Sequence, residues 1–241
     1  MTSPLPQRIS AVVFDVGNTL HHLDHAYIAA TIEQQGLHTT AHEVAMAEYR
    51  AKAVVDEQFR ARAGGGDAGR RLSYFETLLE AAGVPRSAFA SITEALHAED
   101  QRRSLWRVMH PETPDVLAEL RHRGFTLAVV SNADGRVPAA LAAGGIAEHF
   151  AAIVDSHLVG VEKPEARIFQ IALEACGTPP SAAVYVGDIY EIDIRGARNA
   201  GMSAVLLDPL GRYAPVDCPR IATLGQLLDL LPPPAGAPPG R

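Results

Sequence analysis

The chain of 241 residues is poor in cysteine, with only Cys176 and Cys218. A disulfide framework needs an even set of patterned cysteines, so none is indicated and both side chains are expected to be reduced thiols. Long apolar runs are also lacking, because no stretch approaches the roughly 18 to 20 residues that a transmembrane helix needs. The apolar run that follows Arg8 is too short for a signal peptide, so the sequence predicts a soluble cytoplasmic protein with no membrane partner.

Positive charge is scarce as well. The formal net charge is −7, which argues against a nucleic-acid partner because binding to a phosphate backbone needs a basic face. Only Lys52 and Lys163 are lysines among the 21 basic residues. An anionic substrate would therefore need positive charge supplied locally, and a lysine supplies it as a compact point charge rather than a planar fork.

The arrangement of apolar segments predicts an α/β fold. Residues 11–14 form an apolar, β-branched run typical of a strand buried on both faces. From Pro114 onward, amphipathic helical segments alternate with apolar strands, as in residues 114–124 followed by 125–130. Repeated helix–strand units of this kind predict a Rossmann-like, doubly wound parallel sheet with right-handed crossovers and helices on both faces.

Residues 21–104 differ in pattern, since they are rich in Ala, Glu and Arg and read as amphipathic helices separated by Gly or Pro. They predict an all-helical domain inserted into a catalytic core of residues 1–20 and 105–231. The tail, residues 232–241, is so rich in Pro and Gly that it is expected to be disordered.

Polar side chains follow the predicted strands at the points where these end. Because the carboxyl ends of parallel strands lie on one edge of a sheet, where ligands bind, residues far apart in sequence are expected to converge there. The converging set is Asp15, Ser131, Asn132, Lys163, Asp188 and Asp193.

Each residue type in this set suits a phosphate ligand. The carboxylates of Asp15 and Asp188 would hold Mg²⁺, which prefers one or two carboxylates together with substrate oxygens. Ser131 and the main-chain amides after it would cradle phosphate oxygens. Lys163 would neutralise Asp15 and the transferring group in the transition state.

Four segments, taken in order and spacing, resemble the four motifs of the haloacid dehalogenase-like hydrolase superfamily. They are residues 15–19 (DVGNT), 131–132 (SN), 163–164 (KP) and 187–193, in which four residues separate Gly187-Asp188 from Asp193. The resemblance covers the chain to about residue 230, and the inserted helices resemble the C1-type cap of that superfamily.

The resemblance implies a role for each of these residues. Asp15 would attack phosphorus and form an aspartyl-phosphate, while Ser131, Asn132 and Lys163 would bind the phosphate group. Mg²⁺ would be held by the side chains of Asp15 and Asp188 and by the backbone carbonyl of Gly17. Asp193 would support the metal or orient Lys163.

Gly17 departs from the pattern of the phosphatases in that superfamily, which usually carry an Asp there as general acid and base. Such assistance is worth about 10²- to 10⁴-fold. Three interpretations follow: the substrate has a good leaving group, another residue substitutes, or the domain binds phosphate without turnover. The candidate substitutes lie in the segment that follows, and they are His21, His22, Asp24 and His25.

These features predict a Mg²⁺-dependent phosphatase of small phosphorylated metabolites, acting as a monomer or homodimer. One alternative is C–P cleavage of phosphonoacetaldehyde, in a branch that also lacks the second Asp and that needs a cap lysine, for which Lys52 is the only candidate. The other alternative is a catalytically weakened phosphate-binding protein. Dehalogenation is less favoured, because that branch has no use for the pair of Asp188 and Asp193.

Overall fold

The fold is described from a computed structural model that covers residues 5, 6, 8–60, 67–211, 213 and 216–233, with the main chain alone at residues 60 and 67–73. Most of the predicted disordered tail, residues 234–241, lies outside the described residues. The strands are β1 Ala11–Phe14, β2 His22–Leu23, β3 Trp106–Val108, β4 Thr126–Ser131, β5 Ala152–Asp155, β6 Ala183–Gly187, β7 Ser203–Leu207 and β8 Arg220–Ile221. The α-helices are α1 His25–Glu33, α2 Ala41–Arg60, α3 Asp67–Ala81, α4 Phe89–Arg102, α5 Thr113–His122, α6 Val137–Ala143, α7 Ser156–Val159, α8 Ala166–Cys176, α9 Arg195–Asn199 and α10 Leu227–Leu230.

The chain divides into two compact units. The first comprises residues 1–21 and 109–241, and the second comprises residues 22–108. This division places His21 in the unit that contains the sheet and residues 105–108 in the helical unit. The sequence predicts the opposite for both, with His21 in the insertion and residues 105–108 in the core. The reason is local pairing: β2 pairs antiparallel with β3, so both strands belong to the second unit, while His21 forms an isolated bridge with Gly17.

Six parallel strands form the sheet of the first unit, in the order β5-β4-β1-β6-β7-β8. The predicted α/β class is therefore confirmed. The chain leaves β1 toward β4 and β5 on one side and then returns to β6, β7 and β8 on the other. β1 thus lies at the point where the strand order reverses, and the crevice beyond its carboxyl end is where ligands bind in sheets of this type.

The central strand is apolar on both faces, as the sequence predicts. Val12 and Phe14 pack into a cluster with side chains of α5, α6 and α10, whereas Ala11 and Val13 pack into a second cluster with side chains of α8 and α9. Because successive side chains of a strand point to opposite faces, this unbroken apolar run is required by a sheet covered on both sides.

The second unit is built from α1 to α4 around one apolar cluster, which includes Ile28, Val44, Phe75 and Leu96. Among the described residues of this unit, the strands β2 and β3 correct the prediction of an all-helical insertion. Neither short strand has enough residues for an alternating pattern to be visible in sequence. None of the helices in the described part of the chain combines the length and apolar character needed to cross a bilayer.

Candidate active site

Asp15 is the first residue beyond β1, and its backbone position is fixed from both sides. Its N–H donates to the carbonyl of Val186 in the neighbouring strand β6 (2.9 Å). The next carbonyl, that of Val16, accepts from the amides of Leu20 (3.0 Å) and His21 (2.9 Å), which winds the chain into a tight turn. This turn holds the buried Asp15 carboxylate at the carboxyl edge of the sheet.

Lys163 lies at the centre of the site, and its ammonium group has three acceptors. Nζ donates to Asp15 Oδ1 and to Asp193 Oδ1, each at 2.7 Å, and to the hydroxyl oxygen of Tyr185 at 2.9 Å. An ammonium group has three N–H donors and no acceptor, so these three bonds use its full capacity. The Lys163 side chain is almost completely buried, which leaves the three partners to fix its position.

Asp188 directly follows β6, and Asp193 lies in the short π-helix Tyr190–Ile194 that comes next. One carboxylate oxygen from each of Asp15, Asp188 and Asp193 lies within 4.8 Å of the others, and all three residues are buried. Asp193 Oδ2 accepts from the amides of Asp188 (3.1 Å) and Ile189 (2.9 Å). Since its other oxygen accepts from Lys163, both oxygens of Asp193 are already engaged within the protein.

Gly187 allows this close approach. A Cβ built on Gly187 would lie 2.5 Å from Cγ of Asp193 and 2.6 Å from its Oδ2, far inside normal contact distance. Any side chain at this position would push Asp193 away from the strand end. The glycine of the fourth motif is therefore required by the packing of Asp193 and not by an unusual backbone conformation.

Burial and countercharge oppose each other at Asp15. The pKa of Asp15 is raised from 3.8 to about 6, because burial and the negative charge of Asp193 raise it by more than the positive charge of Lys163 lowers it. For Lys163, burial lowers the pKa, but the two carboxylates outweigh burial and raise it above the ordinary lysine range. The cluster therefore holds a firmly protonated lysine against a carboxylate whose ionised form depends on nearby positive charge.

Ser131 is the last residue of β4, and Asn132 directly follows it. Ser131 is buried at the strand end. The Asn132 side chain accepts from the main-chain amide of Lys163 through Oδ1 (2.7 Å) and donates to the Lys163 carbonyl through Nδ2 (3.0 Å). The structure thus uses the Asn132 amide group to join the loop after β4 to the loop that carries Lys163.

Two residues at the end of β5, which sequence reasoning missed, hold the loop after β4. Asp155 Oδ2 accepts from the amides of Gly135 (2.9 Å) and Val137 (3.3 Å). The Ser156 hydroxyl accepts from the amide of Ala133 (3.0 Å) and donates to its carbonyl (3.2 Å). In the sequence, the signal for Asp155 was an aspartate at the end of the apolar run 151–154.

The four candidate substitutes for the missing acid are divided between the two units. The His21 imidazole lies beside Gly144, after the end of α6, and burial lowers its pKa. None of its described contacts is with Asp15 or Lys163. His22, Asp24 and His25 belong to the second unit, where Asp24 accepts from Arg107 (2.9 Å) and His25 bonds to Glu48 (2.7 Å).

Lys52 lies within α2 of the second unit, one helical turn from Glu48, and both side chains are buried. Its ammonium group lies 5.0 Å from the centre of the Tyr49 ring. Burial raises the pKa of Glu48, but the charge of Lys52 and bonds from His25 and Tyr74 outweigh it and lower the value from 4.5 to about 2. The charge of Lys52 thus favours the ionised form of the Glu48 carboxylate.

The donor set suits a small hard cation. Three buried carboxylate oxygens within 4.8 Å of one another are the ligand type that Mg²⁺ selects. Because both oxygens of Asp193 already accept protein hydrogen bonds, Asp15 and Asp188 are the pair best placed to hold the ion. The residues present therefore fit the metal that the sequence predicts.

A parallel sheet whose central strand delivers an aspartate to a cluster of carboxylates and one lysine defines the class of protein. The chain belongs to the haloacid dehalogenase-like hydrolases, whose family model matches residues 9–201.

Among its relatives, the phosphoserine phosphatase of Thermus thermophilus is 40% identical over 143 residues, or 58% of this chain and 54% of that protein. The chain thus matches little more than half the length of this curated relative. A ribulose-1,5-bisphosphate 5-phosphatase of Halopiger xanaduensis is 29% identical over 92% of this chain and 99% of its own. The crystal structure of the HAD-hydrolase YfnB of Bacillus subtilis, bound to magnesium, shares the fold, with a TM-score of 0.68 and 21% identity over 93% of this chain and 99% of its own.

Proposed function

We propose that this protein is a Mg²⁺-dependent phosphatase of small phosphorylated metabolites and that Asp15 is its nucleophile. The observation that carries the proposal is the bond between Lys163 and Asp15 (2.7 Å), made inside a buried cluster of three carboxylates. Without a positive charge beside it, a carboxylate in such a cluster would repel an anionic substrate. With Lys163 against it, Asp15 approaches a phosphate group as part of a neutral pair.

In the proposed reaction, an oxygen of Asp15 attacks phosphorus, and the bond between phosphorus and the ester oxygen breaks. The products of this step are an aspartyl-phosphate and the free alcohol, whose oxygen takes its proton from water because Gly17 offers no acid. Water then attacks the aspartyl-phosphate, which releases inorganic phosphate and restores the Asp15 carboxylate. Covalent catalysis of this kind divides one difficult displacement into two easier ones.

The remaining residues bind and orient the phosphate group. Ser131 and those loop amides that Asp155 and Ser156 do not hold would donate to phosphate oxygens, while Asn132 keeps that loop joined to Lys163 through its two main-chain bonds. Asp193 would hold Lys163 in place. Asp15 and Asp188, with the Gly17 carbonyl, would hold Mg²⁺, which supplies positive charge to the phosphate oxygens when bound.

The missing acid at Gly17 narrows the expected substrates. An alkyl phosphate leaves as a strongly basic alkoxide and needs a proton, whereas aryl and acyl phosphates leave as weaker bases. Since none of the described contacts of His21 is with Asp15, an unassisted leaving group is the simplest proposal. Replacement of His21, His22, Asp24 and His25 one at a time by alanine tests the alternative, in which one variant loses turnover more than binding.

The C–P alternative receives less support. A Schiff base requires a neutral lysine amine, and Lys52 instead lies one turn from the ionised carboxylate of Glu48. Borohydride reduction in the presence of phosphonoacetaldehyde tests this directly. We expect no covalent adduct at Lys52, and an adduct there would favour the alternative.

A screen of phosphorylated metabolites with and without Mg²⁺ tests the proposed function. We expect phosphate release that requires Mg²⁺ and is abolished in Asp15→Asn, with aryl or acyl phosphates hydrolysed faster than alkyl phosphates. Release that persists in Asp15→Asn would refute the assigned nucleophile. No release from any compound, with Mg²⁺ binding shown by calorimetry, would favour the phosphate-binding alternative.

A further inference from the structure

Tyr185 lies in the middle of β6, beneath the carboxylate cluster, and its side chain is completely buried. Its ring packs edge-on against Phe169 of α8, with the ring centres 5.1 Å apart. A phenol buried among apolar side chains is costly unless its hydroxyl has hydrogen-bond partners. A phenylalanine would fill the same space without this requirement, so the hydroxyl group needs an explanation of its own.

The hydroxyl group meets three polar atoms. It lies 2.9 Å from the Val130 carbonyl oxygen, 2.9 Å from Lys163 Nζ and 3.3 Å from Asp193 Oδ1. Because the ammonium group has no lone pair, Lys163 is the donor in its bond with Tyr185. The Tyr185 proton is then available to Val130, which is the closer of the two acceptors. The hydroxyl group therefore joins β4 to the ammonium group of Lys163.

The third acceptor of Lys163 is electrically neutral, and this distinguishes it from the other two. Asp15 and Asp193 already provide two negative charges, and Asp188 lies within the same cluster. A third carboxylate on Lys163 would add negative charge where a phosphate dianion has to enter. A hydroxyl group fills the third donor direction of the ammonium group and adds no charge.

We propose that Tyr185 is a positioning residue, whose hydroxyl group holds the Lys163 ammonium group against Asp15 during phosphoryl transfer. This inference rests on the proposed function, since it concerns how the proposed nucleophile is neutralised. Without the hydroxyl group, one ammonium proton loses its acceptor in a buried site. Nζ is then held only by Asp15 and Asp193, so its alignment against Asp15 in the transition state is less well fixed.

Tyr185→Phe isolates this role, because it removes one oxygen and keeps the ring that packs on Phe169. It also keeps the ring beneath Lys163, whose Nζ lies 5.5 Å from the ring centre. We expect kcat to fall about tenfold, the effect of one hydrogen bond to a charged group, while KM changes less than twofold. Tyr190→Phe is the matched control, since it removes a hydroxyl group that bonds to Asp217 at the surface.

The scarcity of lysine gives a readout that does not depend on activity. Protein labelled with ¹⁵N-lysine has only two side-chain ammonium signals, from Lys52 and Lys163, and the Lys52→Arg variant assigns them. In Tyr185→Phe we expect the Lys163 signal to shift or to exchange faster with water, while the Lys52 signal is unchanged. A role limited to core packing would leave both signals in place.

The outcomes separate the two proposals. An unmoved Lys163 signal, or a kcat that matches the wild type after correction for the folded fraction, would overturn the role of Tyr185. Absence of turnover in the wild type would instead refute the proposed function and leave the Lys163 signal as the test of the contact. If Tyr185→Phe does not fold, Tyr185→Met also lacks the hydroxyl group, and the same change in the Lys163 signal is expected.

Discussion

Replacement of Gly187 by alanine tests the packing at the centre of the proposed site. The new Cβ would lie 2.5 Å from Cγ of Asp193, whereas ordinary contacts begin at 3.4 Å. The Asp193 carboxylate therefore has to retreat by about 1 Å, because the alternative is a steric overlap that no rotamer removes. Such a retreat weakens its bonds to Lys163 and to the amides of Asp188 and Ile189.

The cost is expected to be substantial. Overpacking a buried site costs about 1 to 3 kcal/mol, and one weakened bond to a buried charge adds about 1.5 to 3 kcal/mol. Partial relaxation makes these costs less than additive, so Gly187→Ala should lower the free energy of unfolding by about 2 to 4 kcal/mol. Lys163 also loses its alignment, so kcat should fall at least tenfold even under conditions where the variant is fully folded.

Denaturant unfolding and phosphate release measure these two effects, and Gly225→Ala is the matched control. A Cβ on Gly225 would lie 3.1 Å from Oε2 of Glu112, at the end of a side chain that can turn away. Gly225→Ala should therefore change the free energy of unfolding by no more than about 0.5 kcal/mol. If Gly187→Ala were as stable and as active as Gly225→Ala, the argument that Asp193 requires a glycine at this position would be wrong.

Three further perturbations have defined outcomes. Gly17→Asp should raise the hydrolysis rate of alkyl phosphates more than that of aryl or acyl phosphates, and equal effects on both would show that the missing acid is not limiting. Asp155→Asn should raise KM severalfold with little change in kcat, because Asp155 holds two amides of the loop that follows β4; steady-state kinetics would contradict this if only kcat fell. The pKa of Glu48 is about 2 in the folded protein and 4.5 in the unfolded chain. Ionised Glu48 therefore contributes about 3 kcal/mol to the free energy of unfolding above pH 4.5, and this contribution is lost as the pH falls toward 2. Fluorescence of Trp106, the only tryptophan, reports unfolding of the second unit. Glu48→Gln should flatten the loss of stability at acid pH, and an unchanged dependence of stability on pH would contradict this role of Glu48.

The sheet was predictable from sequence because its strands are apolar on both faces and alternate with amphipathic helices. Shorter elements were not: β2 and β8 have two residues each, too few for a period to be recognised. The start of α2 had an unused signal. Thr40 and Glu43 form a capping box, in which the Thr40 amide donates to Glu43 Oε2 (2.8 Å) and the Glu43 amide donates to the Thr40 hydroxyl (3.2 Å).

The candidate site was predictable to the extent that topology determines it. Residues at the carboxyl ends of parallel strands have to meet at one edge, and Asp15, Asp188, Asp193 and Lys163 do so. Tyr185 was not predictable in the same way, because a tyrosine within an apolar strand has the pattern of an ordinary core residue. Its partners Val130, Lys163 and Asp193 come from three separate segments, and only the folded chain brings them within hydrogen-bond distance.

The charge of the cluster connects Gly17 to the choice of substrate. The carboxylates of Asp15, Asp188 and Asp193, set against the single ammonium group of Lys163, leave two net negative charges, which one Mg²⁺ would neutralise. An ionised Asp at position 17 would leave the loaded site negative and would weaken its attraction for a phosphate dianion. Glycine avoids that repulsion, but it supplies no proton to the departing oxygen. A site built in this way gains affinity for the phosphate group and loses rate on basic leaving groups, so its best substrates should be phosphates whose leaving oxygen needs no proton.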